Sequence, residues 1–86
     1  MIQHKDLGET DFGRLKNLAI KIREQEISLG GNRNLRIYGT LDCKAGKRMK
    51  VKNRVFFKDK AEAIALGYRP CFVCRREEYK EWRFLQ

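Results

Sequence analysis

The chain has 86 residues, which is enough for one small domain and too few for a large buried core. Its composition is 42% hydrophobic and 10% aromatic, which excludes a disordered polar chain; its 20 basic and 11 acidic residues give a net charge of +9. This charge favours a polyanionic partner, most simply nucleic acid. No apolar run is long enough to span a membrane and the first residues do not resemble a signal peptide, so we expect no membrane partner and a cytoplasmic location.

The amino-terminal third is predicted to contain one amphipathic helix. Residues 1–8 form a lead-in that contains His4, the only histidine. A helix over residues 11–27 can be capped by Thr10 or Asp11. Apolar side chains recur on one face at helical spacing: Phe12, Leu15, Leu18 or Ala19, and Ile22. We expect this face to pack on the domain, although a helix that binds a partner protein has the same pattern.

A turn and a strand are predicted to follow. Gly30 and Gly31 can adopt positive φ and end the helix. Leu35, Ile37 and Leu41 then alternate with polar side chains, which predicts a strand over residues 35–41 with these three on its buried face.

Cys43 comes just after this strand and is followed by a strongly basic segment. Residues 44–54 contain six cations and no acid: Lys44, Lys47, Arg48, Lys50, Lys52 and Arg54. Met49 and Val51 alternate with the cations, which favours a strand over part of the segment. Cations around Cys43 would hold the phosphate backbone of DNA near it through salt-sensitive contacts. An ordinary solvated loop has the same composition.

The rest of the chain is predicted as a strand and two helices. Residues 55–57 form a short apolar strand, and Asp59 caps a helix over residues 60–66. Pro70 suits the first turn of a last helix, which would carry a Cys-x-x-Cys motif at its start. The chain is therefore predicted to be a small α+β domain with an N-terminal helix, a short β-sheet and two C-terminal helices.

Cys71 and Cys74 form the Cys-x-x-Cys motif, and Cys43 is the one other cysteine. Zinc prefers thiolates and imidazoles in a tetrahedron, and cysteines three residues apart can present both sulfurs to one ion. The three cysteines therefore predict a Zn²⁺ site, and a position at a helix start would favour their thiolate forms. His4, a water molecule or Asp42 can provide the fourth ligand.

Two other interpretations of the cysteines remain open. Cysteines also occur as small buried hydrophobes, in which case the domain binds no metal. A Cys-x-x-Cys motif can be redox-active, although that motif ordinarily follows a strand in a βαβ layout and this one follows a predicted helix.

Four stretches of the second half match one family pattern. They are Cys43, Asn-Arg-Val-Phe-Phe at 53–57, Glu-Ala at 62–63 and Gly-Tyr-Arg-Pro-Cys-Phe-Val-Cys at 67–74. With these residues the chain resembles the amino-terminal zinc-binding domain of the Ada DNA repair proteins. The resemblance extends over residues 36–76, and residues 1–30 contribute nothing to it.

In that family four cysteines bind zinc, and the first accepts a methyl group irreversibly from a methylated DNA phosphate. The methylated domain then binds DNA more tightly and acts as a transcription switch. The resemblance implies that Cys71 and Cys74 are zinc ligands and that Cys43 is both a ligand and a single-turnover methyl acceptor. It also implies that Arg69 faces the DNA phosphate.

Two positions depart from the family pattern. Lys47 stands four residues after Cys43, where the family has its second cysteine, and Asp42 replaces an aromatic residue. Zinc with four thiolates carries two excess negative charges, whereas three thiolates and a neutral ligand leave one and a less nucleophilic sulfur. The sequence therefore supports zinc binding more strongly than methyl transfer.

These observations give one organisation and two functional hypotheses. We expect a single domain over 1–86, with an N-terminal helix and turn in 1–34, the Ada-like zinc module in 35–78 and the end of the last helix in 79–86. The first hypothesis is a zinc- and DNA-binding module in the repair of methylated DNA or in transcription regulation. The alternative is a zinc-stapled module without methyl transfer, which docks a partner protein through helix 11–27 or tail 79–85.

Overall fold

Helices and short strands alternate in the computed structural model, which describes residues 1–46 and 49–85. The described helices are α1 (Asp11–Arg23), α2 (Lys60–Ala65) and α3 (Arg76–Phe84). The described strands are β1 (Ile2–Gln3), β2 (Leu29–Asn32), β3 (Ile37–Gly39), β4 (Arg54–Phe57) and β5 (Arg69–Pro70). This is the α+β class expected from the sequence. Over the described ranges, no helix has the length and apolar character that crossing a lipid bilayer requires.

The five strands form one sheet in the order β1-β4-β2-β3-β5. Strand β4 pairs antiparallel with β1 and β2, and β2 pairs antiparallel with β3. Strands β3 and β5 are parallel, with Ile37 opposite Arg69 and Tyr38 opposite Pro70. Because parallel strands end at the same edge of a sheet, the segments that follow β3 and β5 meet there. Those segments carry Cys43 and Cys71.

The buried side chains form two clusters. The larger contains Leu29, Tyr38, Val55, Phe57, Ala63 and Tyr68, and the smaller contains Leu7, Ile27 and Phe56. The Tyr38 hydroxyl donates a hydrogen bond to Glu78 Oε2 at 2.9 Å, and burial together with this bond raises the pKa of Tyr38 to about 12. Arg75 also donates to Glu78, at 2.9 Å. The Tyr38 bond fastens α3 to β3 next to the edge where the cysteines lie, and the Arg75 bond holds Glu78 in place from the start of α3.

Helix α1 begins where the sequence predicted and ends earlier. The Thr10 hydroxyl accepts a hydrogen bond from the backbone N–H of Gly13 at 3.0 Å, which is the predicted N-cap. The helix ends at Arg23 rather than at residue 27, because Gln25 has a φ of 63° and Ile27 turns into the core, where it is 2% exposed. Burying the Ile27 side chain stabilises the fold more than one further turn of α1 would.

The apolar face of α1 packs only in part. Leu18 packs against the smaller cluster, whereas Phe12 is 78% and Leu15 is 65% exposed. The expected packing role therefore holds for Leu18, in the middle of this face, whereas Ile22 further along is 38% exposed.

The glycines predicted to form a turn lie instead in β2, in the middle of the sheet. Gly30 is opposite Phe56 and Gly31 is opposite Val55. A Cβ at Gly31 would lie 2.6 Å from the carbonyl oxygen of Ile37, so this strand requires a residue without a side chain. The turn prediction was wrong because glycine is needed here for close packing against the neighbouring strand β3, and not for a positive φ.

The predicted strand over residues 35–41 is shorter, and its buried face is the opposite one. Tyr38 is fully buried, whereas Leu35 is 60% and Leu41 is 39% exposed. Arg36 has a φ of 55°, so the chain turns immediately before β3. Alternate residues of a strand face opposite sides of the sheet, and the side that carries Tyr38 packs in the larger buried cluster.

Strand β4 and helix α2 agree with the prediction. Asp59 Oδ1 accepts a hydrogen bond from the backbone N–H of Glu62 at 2.9 Å, and Gly67, with a φ of 86°, follows the helix. The basic segment forms two short 3₁₀ turns, Lys44–Gly46 and Val51–Asn53, in place of the partial strand predicted there.

The start of the last helix was predicted wrongly. Pro70 lies in β5, and the backbone N–H of Cys71 continues the pairing with β3 by donating to the carbonyl oxygen of Tyr38 at 2.8 Å. The next residues form a turn, and α3 begins at Arg76. The cysteines therefore lie before the helix and not at its start, where its dipole was expected to favour their thiolate forms.

Candidate metal centre

Three cysteine sulfurs meet at the edge where β3 and β5 end. The Sγ atoms of Cys43, Cys71 and Cys74 all lie within 4.8 Å of one another. The distance from Cys43 Sγ to Cys71 Sγ is 3.8 Å, well beyond the roughly 2.05 Å of a disulfide bond. Zinc–sulfur bonds of about 2.3 Å in a tetrahedron require sulfur–sulfur separations of about 3.8 Å. The donor set and its spacing therefore fit a zinc ion.

Backbone hydrogen bonds on both sides of the cluster position these sulfurs. The N–H of Arg75 donates to the carbonyl oxygen of Cys71 at 2.9 Å and closes the turn that carries Cys71 and Cys74. The N–H of Cys43 donates to the carbonyl oxygen of Thr40 at 3.3 Å, so the chain turns directly after β3. Two tight turns on parallel neighbouring strands thus bring the cysteines together.

Gly39 and Thr40 shape the cluster, and sequence reasoning missed both. The backbone N–H of Thr40 donates to Cys74 Sγ at 3.3 Å. A Cβ at Gly39 would lie 2.6 Å from Cys74 Sγ and 3.2 Å from Cys71 Cβ, so the cysteines pack directly on the glycine backbone. A glycine inside a predicted strand was the available signal, because it often marks a close approach.

The Cys74 thiol is held toward its thiolate form. Burial opposes ionisation, but hydrogen bonds from Thr40 and from the neighbouring Cys43 and Cys71 outweigh it, so the pKa of Cys74 lies below its usual value. The thiolate is the form that binds metal ions.

His4 lies away from the sulfurs. In the part of the chain that the structure describes, the group of potential metal ligands contains the three cysteines and includes neither His4 nor Asp42. The His4 ring packs edge-on against Phe56, with 5.4 Å between the ring centroids. The short 3₁₀ turn that holds His4 packs against β4, so the structure does not bring His4, one of the candidates for the fourth ligand, to the cysteines.

We expect His4→Gln to leave the zinc stoichiometry unchanged and to reduce the acid sensitivity of folding. Burial and the positive charges of Arg54 and Arg14 lower the pKa of His4 from its usual 6.5. As the pH falls below about 6.5, the unfolded chain takes up this proton first, so stability declines toward the lower folded-state pKa. Urea unfolding of both proteins at about pH 7.5 and about pH 5.5 checks this, since the variant should lose less stability. Loss of zinc from the variant would contradict the geometry.

The predicted DNA-binding cations occupy two kinds of position. Lys44, Lys50 and Lys52 are exposed. Arg54 is half-buried and donates to the carbonyl oxygen of Gly46, which ties the first 3₁₀ turn to β4. The Arg69 guanidinium lies over the Trp82 ring, 5.6 Å from its centroid. Two further predicted cations, Lys47 and Arg48, lie outside the described residues.

The family model described as the metal binding domain of Ada matches residues 23–77, more than half of the chain. The chain belongs to this Ada family. The match begins inside α1, so it extends further toward the amino terminus than the sequence pattern did. No curated protein sequence shows a significant match.

A solved structure gives the same family assignment. The chain is similar to the refined structure of the DNA methyl phosphotriester repair domain of E. coli Ada, with a TM-score of 0.53 and 25% sequence identity. The similarity covers 80% of this chain and 75% of that one. The Ada-like fold and the three-cysteine cluster identify Zn²⁺ as the cofactor. When bound, zinc keeps its sulfur ligands as thiolates at neutral pH.

Proposed function

We propose that this Ada-like zinc domain binds DNA and repairs methyl phosphotriesters, with Cys43, Cys71 and Cys74 as zinc ligands and Cys43 as the methyl acceptor. The observation that carries the proposal is the sulfur cluster directly beside a basic segment. The similarity to the DNA methyl phosphotriester repair domain of E. coli Ada supports it. Such a protein needs reduced thiols, which agrees with the cytoplasmic location expected from the sequence.

Among the three sulfurs, Cys43 suits the acceptor role best. It is half-buried and lines an open groove, whereas Cys71 is buried and Cys74 lies outside that groove. In the transfer, Cys43 Sγ forms a bond to the methyl carbon while the bond from that carbon to the phosphate oxygen breaks. The products are a methyl thioether and an ordinary phosphodiester anion. The thioether is a poor leaving group, so each protein molecule acts once.

Positive charge near Cys43 supports both binding and transfer. The exposed Lys44 follows Cys43 directly, and Arg54 lines the same groove. Cations beside the reacting phosphate stabilise the negative charge that it gains as the methyl group leaves. The same cations stabilise the thiolate, which lowers its nucleophilicity.

The transfer is tested with duplex DNA that carries one methyl phosphotriester. We expect mass spectrometry to find a single methyl group on the peptide that contains Cys43, and none after incubation with the same DNA without the modification. Cys43→Ser should show no transfer to any residue. An increase in DNA affinity after methylation would extend the proposal to transcription regulation. Methyl transfer to another residue, or to none in a zinc-loaded protein, would contradict the role of Cys43.

DNA affinity should depend steeply on salt, and the basic segment should account for part of that dependence. We expect Lys50→Gln with Lys52→Gln to lower the salt slope by up to about 0.9 for each phosphate that the variant no longer neutralises. The matched control is Lys16→Gln with Arg23→Gln on α1, which removes the same charge from exposed positions elsewhere. Equal slopes for the two double variants would show that only total charge matters.

The alternative, a zinc-stapled module that docks a protein, is favoured by one observation. Phe12 and Leu15 on α1 and Phe84 at the end of α3 are 78%, 65% and 88% exposed. Surfaces of this kind are common at protein interfaces. DNA binding that is absent or independent of salt would favour this alternative.

A further inference from the structure

A groove of about 380 Å³ lies beside the cysteine cluster, between α1 and the sheet. Cys43 and Cys71 form one part of its wall. Most of the remaining wall is apolar and includes Leu18, Ile22, Leu41, Met49 and Phe56. The groove is therefore continuous with the candidate metal centre, and its shape and polarity suit the hydrocarbon part of a small organic molecule.

One wall of the groove lacks a side chain. Gly30 lies there, and a Cβ at this position would make only ordinary contacts, 3.8 Å from the side chains of Leu41 and Phe56. A Cβ is therefore accommodated at Gly30, and we expect a larger residue there to reduce the groove. At the neighbouring Gly31 and Gly39, by contrast, a Cβ would lie 2.6 Å from another atom, so close packing requires glycine at both positions.

Among the residues that the structure describes, three thiols group as potential donors for an ion that prefers four. Every histidine, cysteine, aspartate and glutamate belongs to the described residues, since the remaining positions are Lys47, Arg48 and Gln86. Within the described residues, the potential ligands grouped with the thiols are the three cysteines alone. A zinc site with three protein ligands keeps a position for an exchangeable ligand.

We infer that the fourth zinc ligand is the thiolate of a small organic thiol whose apolar part occupies the groove. Zinc is thiophilic, and the apolar walls favour a hydrocarbon body over a hydrated ligand. The charged residues that the structure describes in the groove wall are one cation, Arg54, and one anion, Asp42. The inference rests on the assignment of Cys43, Cys71 and Cys74 as zinc ligands and is independent of DNA binding or methyl transfer.

The test uses the full chain loaded with Co²⁺ in place of zinc and prepared with a phosphine reductant instead of a thiol. Benzyl mercaptan should raise the sulfur-to-cobalt charge-transfer absorption saturably, by about one third as three thiolates become four. It should bind at least about tenfold more tightly than mercaptoethanol, which has the same donor atom and little apolar surface. Benzyl alcohol, which keeps the apolar body and lacks sulfur, should leave the absorption unchanged.

Variants separate the groove from the metal site. Gly30→Val should weaken benzyl mercaptan binding at least about tenfold, while cobalt affinity and mercaptoethanol binding stay the same. Asp42→Asn and His4→Gln should not alter the spectrum of the thiol-free protein. A change in that spectrum would identify a protein side chain as the fourth ligand and overturn the inference. If the chain binds cobalt but its absorption does not respond to benzyl mercaptan, the inference about the fourth ligand is overturned and the three cysteine ligands stand. If the chain binds no cobalt, the assignment of the cysteines as ligands is overturned as well.

Discussion

Replacing Cys71 by serine is expected to abolish stoichiometric zinc binding and to leave the chain without a cooperative fold. Cys71 is buried, its sulfur lies 3.8 Å from that of Cys43, and its N–H pairs with β3. A structural zinc ion provides about 10–16 kcal/mol of apparent binding free energy, and a small domain has a net stability of only about 5–15 kcal/mol. The two small hydrophobic clusters cannot compensate for the loss of the ion.

Metal analysis and circular dichroism check this expectation. Wild-type protein treated with a chelator should lose the same structure as Cys71→Ser, and added zinc should restore the wild type and not the variant. The matched control is Val73→Ser, which makes a similar change at an exposed position within the same turn. Full zinc occupancy and an unchanged melting transition in Cys71→Ser would contradict the cluster as the metal site.

Gly39→Ala is expected to lower zinc affinity by about 100-fold without removing any ligand. A Cβ here would lie 2.6 Å from Cys74 Sγ and 3.2 Å from Cys71 Cβ, so the turn that carries both cysteines must move away from β3. That movement also breaks the hydrogen bond from the Thr40 N–H to Cys74 Sγ. Competition with a chromogenic zinc chelator measures the change.

The control for Gly39 is its direct partner across the sheet. Gly30 is opposite Gly39 in the pairing of β2 with β3, and a Cβ at Gly30 has no contact shorter than 3.8 Å. Gly30→Ala should therefore keep wild-type zinc affinity. Equal losses in both variants would mean that the strand, rather than the contact with the cysteines, is sensitive to alanine.

The sequence correctly predicted those features that depend on few neighbouring residues. The Thr10 and Asp59 caps form as predicted, because each side-chain oxygen bonds an N–H only three residues away. Strand β4 was predictable because an uninterrupted apolar run suits a strand in the middle of a sheet. The wrong predictions concern positions whose conformation depends on distant residues, such as Gly31, which lies against Ile37 and Phe57.

By itself, the sequence determined the α+β class, the Cys-x-x-Cys motif and the Ada family pattern, and it predicted zinc as the cofactor while other interpretations of the cysteines stayed open. These features depend on composition, local periodicity and a motif whose spacing brings two sulfurs together. Only the tertiary structure decided that Cys43 reaches the motif, because this depends on the parallel pairing of β3 with β5. It also decided that His4 lies against Phe56 rather than at the sulfurs, and that a groove opens beside Cys43. The physical reason is that contacts between residues far apart in the chain are set by how the strands pair and pack, which local sequence does not specify.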